Sequence, residues 1–244
     1  MNRIKYILIL FPVFIAVSCD KENQCIKTAG SETTEIRPIS STIETIELSD
    51  KINLYIKQDS LASLKVVGGE NMLPLVYTDV NGKNLKIHSN NKCDFLRSYD
   101  YNLTVFLTVP NLKKIKYNGQ GKIASVNTLV FPEFEIEANK ATGSVNLALV
   151  TDNLKIMQHT GPSDFTFVGS AKKSYLYSIG NGWFHFENFS SNEVHINSHG
   201  TGDIIVQANI SLLVELYAIG NVYYYGNPLL TISQHTGSGE IKRR

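Results

Sequence analysis

The sequence predicts an all-β protein whose second half is a β-solenoid, a parallel β-helix or β-roll with two short strands per coil of about 20 residues. Three observations lead there. Helical periodicity is nearly absent beyond the N-terminal segment, and short runs of β-branched and aromatic residues alternate with Gly, Asn and Ser. Glycine-bearing turns recur at an almost constant interval: Asn118-Gly119-Gln120-Gly121, Ala141-Thr142-Gly143-Ser144, His159-Thr160-Gly161, Ile179-Gly180-Asn181-Gly182, His199-Gly200-Thr201-Gly202, Ile219-Gly220-Asn221 and His235-Thr236-Gly237-Ser238-Gly239. An apolar column precedes the turns (Ile115, Ile136, Ile156, Leu176, Ile196, Leu216, Ile232), and a second follows them (Ile123, Val145, Phe165, Phe184, Ile204, Tyr224, Ile241). One coil cannot bury its own apolar face, so stacking must make the core continuous. Glycine is expected at the corners for its access to positive φ.

The segments follow in chain order. Arg3 and Lys5 precede an apolar run, residues 6–17, that is too short to be a spanning helix of about 20 residues. It ends in Ala16-Val17-Ser18-Cys19, which resembles the bacterial lipobox; an ordinary secretory signal with an incidental cysteine is the alternative. The lipobox reading makes residues 1–18 a signal peptide, Cys19 the lipidated first residue, and the acyl anchor the link to the membrane. Asp20-Lys21-Glu22 resembles the charged export tag of surface-exposed Bacteroidetes lipoproteins, or is a solvated linker. Residues 19–37, rich in Thr, Ser, Glu and Lys, read as a flexible tether. Cys25 and Cys93 either pair in an oxidising compartment or remain two thiols.

Residues 38–112 read as an N-terminal β half, with strands at 42–48, 53–57, 63–67, 75–80, 85–88 and 101–109, and an Asn81-Gly82 hairpin turn. Residues 113–244 are the solenoid half, and 38–244 together make one head domain. The solenoid register places Lys114 and Lys116 beside Glu135 and Glu137, and Glu135 beside Lys155, so that charges alternate from coil to coil. The first half is expected to cap the end of the stack.

Composition narrows function by exclusion. The chain has 244 residues, 43% of them hydrophobic, with 23 basic and 22 acidic residues and a formal charge of +1. That balance favours neither nucleic acid nor an anionic membrane surface beyond the anchor. No nucleophile elbow, phosphate-binding loop or dinucleotide fingerprint is present, and no cofactor is implied. His159, His199 and His235 occupy alternate coils, about 9.6 Å apart at twice the strand spacing, too far to share a zinc ion; they read as caps on turn backbone. Asp164, Asp203 and Glu240 follow turns and read the same way, against a glycosidase alternative. No catalytic residue is assigned. Trp183, His185, Tyr223 and Tyr225 fall on one outward face, a candidate surface for a glycan or protein ligand; Tyr175, Tyr177 and Tyr217 fall on the other strand's face.

Several segments resemble a bacterial family described as putative auto-transporter adhesin, head GIN domain, common among Bacteroidetes. They are Thr45-Ile46-Glu47-Leu48, Ile52-Asn53-Leu54-Tyr55-Ile56, Val109-Pro110-Asn111-Leu112-Lys113-Lys114-Ile115, Asn118-Gly119-Gln120-Gly121, Gly220-Asn221-Val222-Tyr223-Tyr224-Tyr225-Gly226-Asn227-Pro228 and Gly237-Ser238-Gly239. The resemblance implies an all-β, β-helix-like fold and a surface or periplasmic lipoprotein; the location expected is the outer membrane, with the cell surface ahead of the periplasmic face. The function expected is non-enzymatic adhesion or binding, the alternative a periplasm-facing structural or envelope-stress scaffold.

Overall fold

The computed structural model describes residues 28–91 and 102–244; the signal segment 1–18, Cys19, Cys25 and Cys93 lie outside the described residues. Described elements are strands apart from a 3-10 turn at Leu73–Leu75. In chain order they are β1 (Glu32–Arg37), β2 (Thr45–Asp50), β3 (Ile52–Gln58), β4 (Ser63–Gly69), β5 (Val76–Asn81), β6 (Asn84–Ser89), β7 (Leu103–Val109), β8 (Lys114–Gly119) and β9 (Ile123–Ser125). There follow β10 (Leu129–Asn139), β11 (Ser144–Thr160), β12 (Asp164–Ser178), β13 (Phe184–Ser198), β14 (Ile204–Leu216), β15 (Val222–Tyr225), β16 (Leu229–His235) and β17 (Ile241–Arg243).

They form two ladders of stacked parallel strands. One runs β6–β2–β8–β10–β11–β12–β13–β14–β16. The other runs β7–β3–β9–β11–β12–β13–β14–β15–β17. The expected two short strands per coil are fused in β11 to β14, each a single bent strand of 13–17 residues that serves both ladders.

The inward columns are those the sequence shows, with two corrections. Ile136 pairs with Ile115 and Ile156, and the row continues through Leu176 and Ile196 to Val214 and Ile232. The second row is Ile123, Val145, Phe165, Phe184, Ile204, Val222 and Ile241. Val214 and Val222 thus replace Leu216 and Tyr224. A register shift between Phe186 and Ser190, and another between Ser191 and Glu193, shorten the offset between neighbouring coils by two residues there. Phe165 stacks on Phe184 at 4.9 Å and Phe167 on Phe186 at 4.8 Å, with Phe189 edge-on at the bend. Burying each such ring contributes about 1.5–3 kcal/mol.

The repeat also begins earlier than near Lys113. Leu85, Ile46 and Ile115 occupy one row, so the coil β2–β3 sits between the coil β6–β7 and the coil β8–β9. The excursion through β4 and β5 interrupts the period and hides this from the sequence. Those two strands are the expected cap. β4 pairs antiparallel with β7, and β5 with β6 through the Asn81-Gly82 turn, where Gly82 has φ +57°. β1 then pairs antiparallel with β4 from Glu32 to Arg37, so the tether expected to reach residue 37 ends before Glu32. Its Arg37 guanidinium donates to the carbonyls of Val76 and Leu73, giving these polar residues a fixed place that composition cannot reveal.

The corner glycines are also used differently from expectation. Among them Gly161 has positive φ, but Gly180, Gly182, Gly200, Gly202, Gly220 and Gly239 do not. Their shared property is close approach: a methyl on Gly180 would lie 2.5 Å from the Gly161 carbonyl oxygen of the coil before it. Turns stack backbone on backbone, and a side chain has no room. Inside the corner, buried Gln158 donates to the Ser163 carbonyl at 2.7 Å and accepts from Ser178 Oγ at 2.9 Å. This satisfies polar groups that burial would otherwise penalise.

Candidate ligand-binding faces

Successive strand residues point to opposite sides, so each inward column leaves outward rows beside it. On the first ladder one outward row reads Lys114, Glu135, Lys155, Tyr175, His195, Leu213. The next reads Lys116, Glu137, Met157, Tyr177, Asn197, Glu215. The first row changes character after Lys155 on β11, the second one coil earlier after Glu137. On the N-terminal side Lys114 takes both acids expected to be shared with Lys116, its Nζ 2.8 Å from Glu135 and 2.7 Å from Glu137, and Lys155 reaches Glu135 at 3.8 Å as expected. The Lys114 hydrogen bond holds the Glu137 carboxyl below the usual glutamate range.

From β12 onward the rows turn aromatic. Tyr175 meets His195 edge-on at 5.0 Å, Tyr177 contacts His159 and His199 at 5.8 and 6.1 Å, and His199 stacks on Tyr217 at 4.3 Å. Glu215 anchors the cluster, bonded to His195 Nε2 and Asn197 Nδ2 at 2.8 Å each and to the Tyr217 hydroxyl at 3.3 Å. Partial burial, with the Glu215 charge adding to it, pushes the Tyr175 phenol up. An open groove of about 430 Å³ crosses the coils here, with Asn153, Lys155, Lys173, Tyr175, Glu193 and His195 among its walls. It shares Asn153 and Lys155 with a second depression of about 360 Å³ over Glu133 and Glu135, so the trough extends along the stack. Side chains here offer ring faces, amide and hydroxyl donors, and both signs of charge.

The residues picked from sequence lie on the second ladder. Trp183 is 41% exposed and stacks on His185 at 5.8 Å. Because Val222 takes the inward place assigned to Tyr224, Tyr223 leaves the row of Trp183 and falls in that of His185, with the buried Ile205 between them. The Arg244 guanidinium already covers the Tyr223 ring at 3.8 Å, and Tyr225 lies one alternation further along β15. The structure thus gathers Trp183 and His185, while Tyr223 is partly occupied. The trough with His195, Lys155 and Lys173, and Glu215 bonded to His195 beside it, was missed. Its signal was in the sequence: the coil-to-coil alternation of Lys and Glu stops at Lys155.

The acids and histidines have structural partners. Asp164 Oδ1 accepts from the Trp183 amide at 2.8 Å, and Asp203 Oδ1 from the Asn221 amide at 2.8 Å. His235 donates to the Gly239 carbonyl at 2.8 Å, and the Tyr177 ring lies between His159 and His199. Among the described residues, no three His, Cys, Asp or Glu side chains converge to hold a metal ion.

Comparison with known proteins agrees with this architecture. The family model described as "Putative auto-transporter adhesin, head GIN domain" matches residues 43–228. The chain belongs to that family. The head GIN fold also recurs in solved structures. A putative adhesin from Bacteroides fragilis NCTC 9343 shares 22% identity over 89% of this chain and 100% of its own, with a TM-score of 0.78. A putative adhesin from Parabacteroides merdae ATCC 43184 shares 20% identity over 88% and 97%, at 0.61. A putative lipid binding protein from Parabacteroides distasonis ATCC 8503 shares 18% over 88% and 97%, at 0.64. Such identities carry the fold alone. None of the curated proteins matches. Family membership indicates an adhesin-type protein of the cell surface or envelope, and among the described residues no helix is long and apolar enough to cross a membrane.

Proposed function

We propose that this chain is a non-enzymatic outer-membrane lipoprotein, anchored through Cys19 and facing the cell surface, whose solenoid binds a glycan in the trough beside Tyr175 and His195. One observation carries this reading: the ion-paired outward rows give way on β12 and β13 to Tyr175, Tyr177 and His195, and Tyr175 and His195 line an open groove. Amphipathic rings present an apolar face to sugar C–H groups, while Asn153, Lys155 and Lys173 offer hydrogen-bond donors to hydroxyls. A trough crossing the coils suits an extended chain more than a compact metabolite. The non-enzymatic part is supported by Asp164 and Asp203, whose carboxylates are engaged in turn caps. Trp183 and His185 are a second candidate contact on the other ladder.

A glycan array with the purified chain tests the reading. Tyr175→Ala is expected to weaken any captured glycan at least about tenfold, equivalent to roughly 1.4 kcal/mol. Unchanged capture by Tyr175→Ala and His195→Ala would sink the trough, and loss with Trp183→Ala alone would move the site to the other ladder. Capture of no glycan, with specific capture of an envelope protein, would favour the scaffold alternative. Polysaccharide turnover that Asp203→Asn removes would overturn the non-enzymatic reading. Full protection from protease added to intact cells would place the chain on the periplasmic side.

A further inference from the structure

We propose that the outer face of β1, β4, β7 and β3 is a membrane-contact surface that seats the protein on a bilayer carrying anionic headgroups. The face has the three components such a surface needs. Its apolar part projects: Ile36 on β1 is 82% exposed and Val126, just after β9, 56%. Both line one open groove of about 330 Å³ with Tyr55, Phe106 and Leu107. The row of Val126 continues through half-buried Ala148 to exposed Val168, so the apolar strip extends along the stack. Val126 and Val168 are exposed on alternate coils with apolar Ala148 between them, and contiguous apolar surface of this kind marks a contact site.

The aromatic part is amphipathic. Tyr55 and Phe106 stack at 5.3 Å across neighbouring strands, and aromatic side chains of this kind sit well at a headgroup boundary. The charged part is basic. Lys65 lies over the Phe106 ring at 4.7 Å and Lys57 lines the same groove, at 2.8 Å from Asp59. Among the described residues, no carboxylate lines the groove. Lys57 and Asp59 neutralise each other, so Lys65 supplies the positive charge of the groove in a chain whose overall charge is near zero.

Position in the chain favours a membrane over another occupant. β1 is the first strand of the stack, and Glu32 follows Cys19 by thirteen residues. At about 3.3–3.6 Å per residue that segment spans at most about 45 Å. Given the lipid anchoring at Cys19 proposed above, on which this inference rests, the anchor holds the face at high effective concentration near the bilayer, so a weak contact suffices. The trough beside Tyr175 lies on the other ladder and further along the stack, which leaves it free for a ligand.

The test uses the mature full-length chain carrying Cys19→Ser, so that sedimentation with vesicles reports the face and not the acyl anchor. Phosphatidylcholine vesicles are compared with vesicles containing phosphatidylglycerol. Binding is expected to favour phosphatidylglycerol, to fall roughly fivefold with Lys65→Gln and to be lost with Ile36→Asp/Val126→Asp. Both substituted positions are exposed, and circular dichroism with thermal melting checks that the fold is kept. Tyr175→Ala is expected to sediment as the parent does, which separates this result from the glycan reading. Equal sedimentation of parent and double variant, no lipid binding by the parent, indifference to headgroup charge, or a parent dimer that the double variant dissolves would each overturn the proposal.

Discussion

Substituting alanine for Gly202 isolates the role of the stacked turns. Gly202 does not have positive φ, so backbone conformation alone gives alanine no penalty there. If conformational freedom were all that mattered, Gly202→Ala would stabilise by about 0.4–1 kcal/mol through the unfolded chain. The packing predicts the opposite. The added methyl would lie 2.6 Å from the Gly182 carbonyl carbon and 2.8 Å from the Asn181 carbonyl oxygen, and closer still to the Gly182 oxygen. Normal contact is about 3.5–4.0 Å, so the neighbouring turn must retreat by roughly 1.5 Å. The obstructing atoms are backbone tied into the next coil, where Thr201 N donates to Gly180 O at 3.2 Å, and no rotamer change relieves them. Overpacking of this kind costs about 1–3 kcal/mol, and the upper end is expected here. That corresponds to a drop of about 6–12 °C in Tm. Urea denaturation followed by circular dichroism reads the change as a shift of midpoint against the parent. Gly82→Ala is the control: its φ is +57° but nothing lies within 4 Å of the added methyl, so its loss is conformational, about 1–2 kcal/mol. A Gly202→Ala protein as stable as the parent, or more so, would refute the stacking argument.

Three other outcomes follow from the same geometry. Phe184→Ala removes the ring between Phe165 and Ile204 and should cost about 3–5 kcal/mol by thermal melting. Gln158→Ala strips the Ser163 carbonyl and the Ser178 hydroxyl of their partner inside a closed corner, and a loss of about 1–3 kcal/mol in urea midpoint is expected. Glu137 has its folded pKa lowered, chiefly by the Lys114 hydrogen bond. Its contribution is therefore present above the ordinary glutamate pKa and lost as pH falls through the folded value. For this partly exposed pair the effect is about 0.2–1 kcal/mol, so the stability gap between parent and Lys114→Met should close in acid and in high salt.

Much of the fold was readable because a solenoid repeats its instructions. The inward columns from Ile115 to Ile196 and from Ile123 to Ile204 recur with the turns, and Lys114, Glu135 and Lys155 confirm the register from outside. Legibility failed where a local feature broke the period. The register shifts in β13 moved Val214 and Val222 into places assigned to Leu216 and Tyr224. β2 and β3 carry the same columns but are separated from their stacked neighbours by the β4–β5 excursion. Glycine misled for a different reason: a residue type names a permission, and only coordinates show whether it is used for φ or for closeness. The candidate site was half visible. Aromatic residues stood out by type, but the trough depends on which of them share a row with Lys155 and Glu215, and that is a property of register.

The placement of β2–β3 between coils formed later in the chain sets where this architecture can change length. A rung at the N-terminal end cannot be added or removed by a simple duplication or deletion, because spatial and chain order differ there. β11 to β14 follow one another in both orders. A tandem duplication of one such unit inserts a rung without rethreading anything, and lengthens the aromatic trough by one step. Variation in reach among related molecules is thus expected in the later coils, while the capped end is inherited whole.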